Sequence, residues 1–174
     1  ETLVVQLNTA GMALMTDQVV AALQEELRPA NIIARNDAPA RQLEGLPLEV
    51  AALLGEIPPR LELVENGLTF LGDPGGGQKT GWFYDQRENR AFAARLAPGQ
   101  TVLDVYSYCG GFALQAAAAG AEAVVAVDSS AAALELAAAS AERQGVAGRV
   151  RFERTEAFAF LERTADEKAR FGVV

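Results

Sequence analysis

The sequence predicts an α/β protein, with a small α+β domain over residues 1–74 followed over 75–174 by part of a Rossmann-like parallel sheet. Three observations lead there. From residue 101 onward short apolar runs alternate with helical stretches through brief connections, a rhythm that calls for a parallel sheet with right-handed crossovers. Two of those runs carry an acid near their ends, Asp104 and Asp128, with the paired glycines Gly110 and Gly111 between them. Upstream, Asp73-Pro74-Gly75-Gly76-Gly77 is the most linker-like stretch of the chain and marks the boundary between the two parts.

Taken in order, Leu3 to Leu7 reads as a short buried strand and Asn8 to Gly11 as a turn. Thr16 is placed to cap a helix over 17–28, with Val19, Val20, Leu23 and Leu27 on one face and Pro29 as its stop. Ile32-Ile33-Ala34 reads as a second strand. Arg35 to Glu49 lacks periodicity and contains three breakers, Pro39, Gly45 and Pro47, so it is expected to be mostly loop. Val50 to Leu54 is assigned a helical turn. Residues 60–64 and 68–71 flank Asn66-Gly67, a strong hairpin signal. Asp85 with Glu88 has the form of a capping box, so a helix is expected from Gln86 to about Ala97, ended by Pro98-Gly99. Beyond it, strands are expected at 101–106, 123–127, 149–153 and from 171 onward, and helices at 112–119, 131–143 and 156–168.

Composition narrows the function classes. Half the residues are apolar, which supports a sizeable core and argues against disorder. No apolar run approaches the roughly 20 residues that span a bilayer, and no leader-like pattern follows Glu1, so a soluble cytoplasmic protein without membrane partners is expected. With no histidine and a single cysteine, Cys109, the usual zinc ligand sets and Ser-His or Cys-His nucleophile pairs are excluded. A net charge of -8 argues against sequence-blind nucleic-acid binding by the chain as a whole. A local basic face from Arg60, Lys79, Arg87, Arg90 and Arg95 remains open, against the alternative that these side chains are solvated or paired with acids.

In open parallel sheets, ligands bind beyond the carboxyl ends of the strands near a topological switch point. Asp104, the loop Tyr106 to Gly111, Asp128 and Glu156 fall at that edge. Gly110 and Gly111 let the backbone approach a ligand closely, and the helix starting at Phe112 offers free N–H groups to a carboxylate. That combination suits the methionine part of S-adenosylmethionine. Asp128 is placed to accept from ribose hydroxyls, with Ser129 beside it, or to act as a strand-end acid near a helix cap. Glu156 stands between an adenine contact and a residue favoured by the helix dipole. Asp104 and Ser107 are placed to hold the methionine amino group or the loop itself. Tyr106 and Tyr108 are either cofactor contacts or packing residues, and Cys109 reads as a small loop residue rather than a nucleophile. Gln86, Arg87 and Arg90 lie either beside cofactor or substrate or on a charged surface helix. A nicotinamide dehydrogenase is disfavoured, because G-x-G-x-x-G does not follow the first strand.

Several segments are similar to one family. Leu7 to Met12, Glu44-Gly45-Leu46, Gln78 to Gly81 with Asp85-Gln86-Arg87 and Asn89-Arg90, Ser107 to Phe112, and Val127 to Ser130 occur in an order that resembles the S-adenosylmethionine-dependent ribosomal large-subunit RNA methyltransferases of the RlmI/RlmK type. The resemblance implies a middle α+β domain and a Rossmann-like class I methyltransferase sheet acting on RNA bases, with the cytosine 5-position favoured. Ser140 and Glu156 stand where the family commonly has asparagine and aspartate. The resemblance also implies a fragment, inactive by itself. The family's N-terminal RNA-binding domain and its Asp-Pro-Pro motif are not in the sequence, nor is the later cysteine of its cytosine-methylating members. Expected partners are ribosomal RNA and a second copy in a homodimer. The alternative from another class is a non-catalytic RNA-binding or assembly module that keeps the fold.

Overall fold

The computed structural model describes residues 1–77 and 81–174; Lys79 and the rest of 78–80 lie outside the described residues. The chain divides into two compact units, Glu1–Leu61 with Asp73–Gly81, and Glu62–Gly72 with Trp82–Val174.

In the first unit, β1 (Thr2–Val5) pairs in parallel with β2 (Asn31–Asn36). The chain between them forms α1 (Ala10–Leu14) and α2 (Thr16–Leu27). The expected turn at Asn8 to Gly11 becomes the start of α1, because the Thr9 hydroxyl accepts from Met12 N at 3.3 Å and caps it. Thr16 does not cap α2; its hydroxyl donates to Ala13 O at 2.7 Å instead. Val19, Val20 and Leu23 are half-buried, whereas Leu27 is exposed at the last turn. The Arg35–Glu49 segment contains one short helix, α3 (Ala40–Leu43).

Val50 to Leu54 is not helical. It lies in β3 (Glu49–Leu54), antiparallel to β2 with a register shift at Ile32/Ile33. A run of five apolar residues carries no period that separates strand from helix, and pairing with β2 satisfies its backbone groups. The core of the unit is Leu7, Ile32, Ile33 and Ala34. Two buried arginines tie its loops. Arg35 donates to the Asp37 carboxylate and to the carbonyls of Pro74 and Gly77, and its guanidinium holds the Asp37 carboxyl below the usual range. Arg41 donates to the carbonyls of Leu7 and Pro47.

The second unit begins with a hairpin, β4 (Leu61–Glu65) and β5 (Leu68–Gly72). Asn66 and Gly67 at its turn have φ of 51° and 80°, the pair of positive values that a type I′ turn requires. The sequence boundary at residue 74 assigns this hairpin to the first domain, but by its contacts it groups with the second unit. Phe70, 0% exposed, is part of that unit's main core.

After the hairpin come α4 (Arg87–Leu96), β6 (Thr101–Val105), α5 (Gly111–Ala118), β7 (Ala123–Asp128), α6 (Ala131–Arg143), β8 (Val150–Arg154) and α7 (Ala157–Asp166). The predicted capping box does not form. Asp85 lies in a 3-10 turn over Tyr84–Gln86, and its carboxylate accepts from Gln86 Nε2 at 3.0 Å rather than from a backbone N–H. β6, β7 and β8 pair in parallel, in that order. Val173 makes a parallel bridge to Val102 of β6. The chain therefore runs outward from β6 to β8 and returns to the free side of β6, which places a topological switch point at the carboxyl end of β6.

Alternation along the strands divides the core. Val102, Val124 and Ala126 pack with Ala113, Leu114, Ala117 and Ala141 of α5 and α6, while Leu103 and Val127 pack with Phe160 of α7 on the opposite face. Ser140, 0% exposed, joins α6 to the hairpin: its hydroxyl accepts from Leu71 N at 2.9 Å and donates to Leu136 O at 2.7 Å. Ser140→Ala leaves a buried N–H without a partner, and an unfolding midpoint lower by the equivalent of roughly 1–3 kcal/mol is expected in urea.

Candidate cofactor-binding site

The site forms where β6 ends. Tyr106 (φ 63°) and Tyr108 (φ 50°) occupy left-handed backbone, and Gly110 (φ 76°) follows as the residue preceding α5. Non-glycine residues held in this region store on the order of 1–3 kcal/mol each and persist only where neighbours hold them. Here the neighbours are backbone bonds from Ser107 N to Val127 O at 3.0 Å and from Gly110 N to Ser107 O at 2.8 Å.

Two carboxylates complete the loop. Asp128 accepts from Tyr108 N at 2.8 Å through one oxygen and from Ser130 N at 2.9 Å through the other. It thereby ties the β6 loop to the start of α6, where the Ser130 hydroxyl accepts from Ala133 N at 3.2 Å as the cap. Asp104 Oδ2 accepts from Ala113 N at 2.9 Å, inside the first turn of α5. Burial pushes the Asp104 carboxyl up to about 7; the Ala113 N–H opposes that rise, nearby Asp128 adds to it, and Arg90 lowers it.

The two glycines serve packing as well as backbone freedom. A Cβ on Gly110 would meet Ala137 and Leu114 at 3.1 Å, and one on Gly111 would meet Arg90 Nε at 2.7 Å and Trp82 at 3.1 Å. Their side-chain space is thus occupied by the protein's own atoms.

Of the other predicted site residues, Ser107 is 5% exposed, with a buried hydroxyl that has no hydrogen-bond partner among the described residues. Phe112 is half-buried beneath the Arg90 guanidinium, whose Cζ is 5.6 Å from the ring centroid. Tyr106 is 65% exposed, and Tyr108 meets Phe83 edge-on at 6.3 Å. Ser129 is exposed. Glu156 is exposed and precedes α7 without a side-chain capping bond. Gln86 is half-buried and accepts from Asn89 Nδ2 at 2.9 Å. Cys109, 1% exposed, packs with Leu71, Ala133 and Leu136, as befits a loop residue.

Arg87 is exposed, but Arg90 is not on a basic face. It is 4% exposed and paired with Glu65, itself 2% exposed. The pair draws in residues that sequence reasoning missed. The Glu65 carboxylate accepts from Arg90 at 2.8 and 3.0 Å, from Trp82 Nε1 at 2.8 Å and from Gln115 Nε2 at 2.9 Å. The Arg90 guanidinium also lies 4.3 Å from the Trp82 ring centroid. The only available signal was an acid directly before the Asn66-Gly67 turn, and that position is usually solvated.

Comparison with known proteins bears on the family and the fold. The family model of S-adenosylmethionine-dependent methyltransferases matches residues 12–165. Ribosomal RNA large subunit methyltransferase I of Erwinia tasmaniensis is 37% identical over 174 residues, which cover 99% of this chain and 44% of that protein. The chain therefore spans less than half the length of that relative. Among solved structures, a Streptococcus mutans protein described as a SAM-dependent methyltransferase superposes with a TM-score of 0.83 at 23% identity, over 98% of this chain and 44% of its own. A methyltransferase complexed with SAH gives the same TM-score and identity, over 98% and 43%. The chain belongs to the S-adenosylmethionine-dependent methyltransferase family.

Proposed function

We propose that this chain is the cofactor-binding portion of an enzyme that methylates a base of ribosomal large-subunit RNA, with the cytosine 5-position as the favoured target. The observation that carries the reading is the loop at the carboxyl end of β6, built between two carboxylates at the switch point of the sheet. RNA as substrate is supported by relatives at 35–37% identity that are named ribosomal RNA large subunit methyltransferase I, among them those of Erwinia tasmaniensis, Klebsiella pneumoniae and Shewanella amazonensis.

The residues present fit S-adenosylmethionine. When bound, the cofactor supplies an electrophilic methyl group on a sulfonium. Asp104 keeps one oxygen without a hydrogen bond among the described residues, suited to the methionine ammonium. The buried Ser107 hydroxyl is a donor or acceptor still without a partner there. Asp128 uses each oxygen once and retains lone pairs for ribose hydroxyls. Ser129 and Glu156 lie beyond Asp128 and β8, toward the ribose and the adenine in this reading. Chemistry at the cytosine 5-position needs a thiolate that adds to the ring. Cys109 does not provide it, being buried in an apolar cluster, so in this proposal that thiolate comes from outside these 174 residues.

Mass spectrometry of ribosomal RNA, from cells with and without the full-length protein, tests the reading. One methylated cytidine in large-subunit RNA that is lost without the protein is expected; an unchanged set of methylated nucleosides overturns the proposal. Arg87, exposed at the start of α4, is the RNA contact proposed here. For Arg87→Glu in the full-length enzyme, RNA retention weaker by about tenfold at low salt is expected, with the difference shrinking as salt rises.

A further inference from the structure

We infer that Glu65 and Arg90 are positioning residues for the β6–α5 loop, acting through the first turn of α5 rather than by touching a ligand. This rests on the reading of that loop as the cofactor cradle.

The geometry is direct. Arg90 projects from α4 and places Nε against Gly111, the first residue of α5, at a separation that leaves no room for a methyl group. The same guanidinium lies over the ring of Trp82, at 4.3 Å from its centroid, and over that of Phe112, the second residue of α5, at 5.6 Å. Glu65, at the end of β4, accepts from the guanidinium and also from Gln115, one turn further along α5. Asn66 Nδ2 then donates to Gln115 Oε1 at 2.9 Å and to Arg87 O at 3.2 Å. The hairpin turn, α4 and the start of α5 are therefore locked together at one point. What that point sets is the position of Gly111 and Ala113, and Ala113 N is the donor that holds Asp104.

An ion pair serving only stability has no reason to act locally on the loop. Replacing both partners by neutral side chains of similar volume separates the two roles, because the uncompensated buried charge is avoided. In Glu65→Gln/Arg90→Met, Gln keeps an acceptor for Trp82 Nε1 and Met fills much of the volume of the Arg90 side chain. Amide hydrogen exchange of residues 107–113 is measured without ligand in wild type and in this variant, next to the amides of β7 as an internal reference. Exchange faster by about tenfold over 107–113, with β7 protection unchanged, is the expected result. Unchanged protection over 107–113 in the folded variant overturns the inference. Should the double variant fail to fold, Gln115→Leu, which removes the Glu65 bond to α5 and keeps the ion pair, is read by the same criterion. In parallel, S-adenosylmethionine is expected to bind the double variant about tenfold more weakly, as a less preorganised loop predicts. Absence of binding by wild type would count against the cofactor reading while the exchange result still decides this one.

Discussion

Glu65→Ala is expected to lower the stability of the second unit by about 3–5 kcal/mol. The substitution leaves the Arg90 charge buried without a counterion and removes the acceptor of Trp82 Nε1 and Gln115 Nε2. Against a typical domain stability of roughly 5–15 kcal/mol, this is about a fifth or more of the total. Urea unfolding followed by the fluorescence of Trp82, the single tryptophan, reports it at the network itself. Glu65→Gln/Arg90→Met is expected to lose no more than about 1–2 kcal/mol, since neutral replacement of both partners of a buried pair is often near neutral. A loss below about 1 kcal/mol in Glu65→Ala would show that the pair is solvated in solution.

The second large effect is a dependence of stability on pH, set by Asp104. Its carboxyl rises from 3.8 to about 7 on folding, chiefly through burial. A raised folded-state pKa means that folding favours the protonated form. The contribution is therefore fully present below about pH 4 and is lost as pH rises through 7. A shift of roughly three units corresponds to a ceiling of about 4 kcal/mol, and because the residue is half-buried the measured figure should fall below that. Asp104→Asn keeps an acceptor for Ala113 N and removes the titration. The difference in unfolding free energy between wild type and variant is expected to be small at pH 4 and to grow in favour of the variant up to pH 8. A difference that stays flat across that range would show that the carboxyl is already ionised in the fold. The same linkage makes the methionine ammonium a better partner for Asp104 as pH rises, so S-adenosylmethionine should bind more tightly at pH 8 than at pH 6.

Much of the second unit was legible because its signals are local. Apolar runs bounded by short connections fixed β6, β7 and β8 to within a residue or two, and Asn66-Gly67 alone was enough to place the hairpin turn. The affiliation of that hairpin was not legible. It depends on Glu65 meeting Arg90 at a separation of 25 residues and on Leu71 N meeting Ser140 at 69, and no local pattern records such a meeting. For the same reason Arg90 looked like a surface cation: its spacing on α4 is that of a charged helix, and only its partner places it inside. β3 was misread because five apolar residues without a period fit either conformation until β2 is there to pair with them. At the site, the positions of Asp104, Asp128, Gly110 and Gly111 followed from strand ends and the glycine pair. That the glycines make room for Arg90, Trp82, Leu114 and Ala137 did not.

In the proposed function the edge between β6 and β7 binds S-adenosylmethionine, with Asp128 as a ligand of the ribose. Calorimetric titration of wild type and Asp128→Ala with S-adenosylmethionine and, separately, with NAD tests it most directly. Wild type is expected to bind S-adenosylmethionine and not NAD, and Asp128→Ala to bind S-adenosylmethionine at least about tenfold more weakly, from the loss of charge-assisted hydrogen bonds. Binding of NAD alone, or undiminished S-adenosylmethionine affinity in the variant, would contradict it.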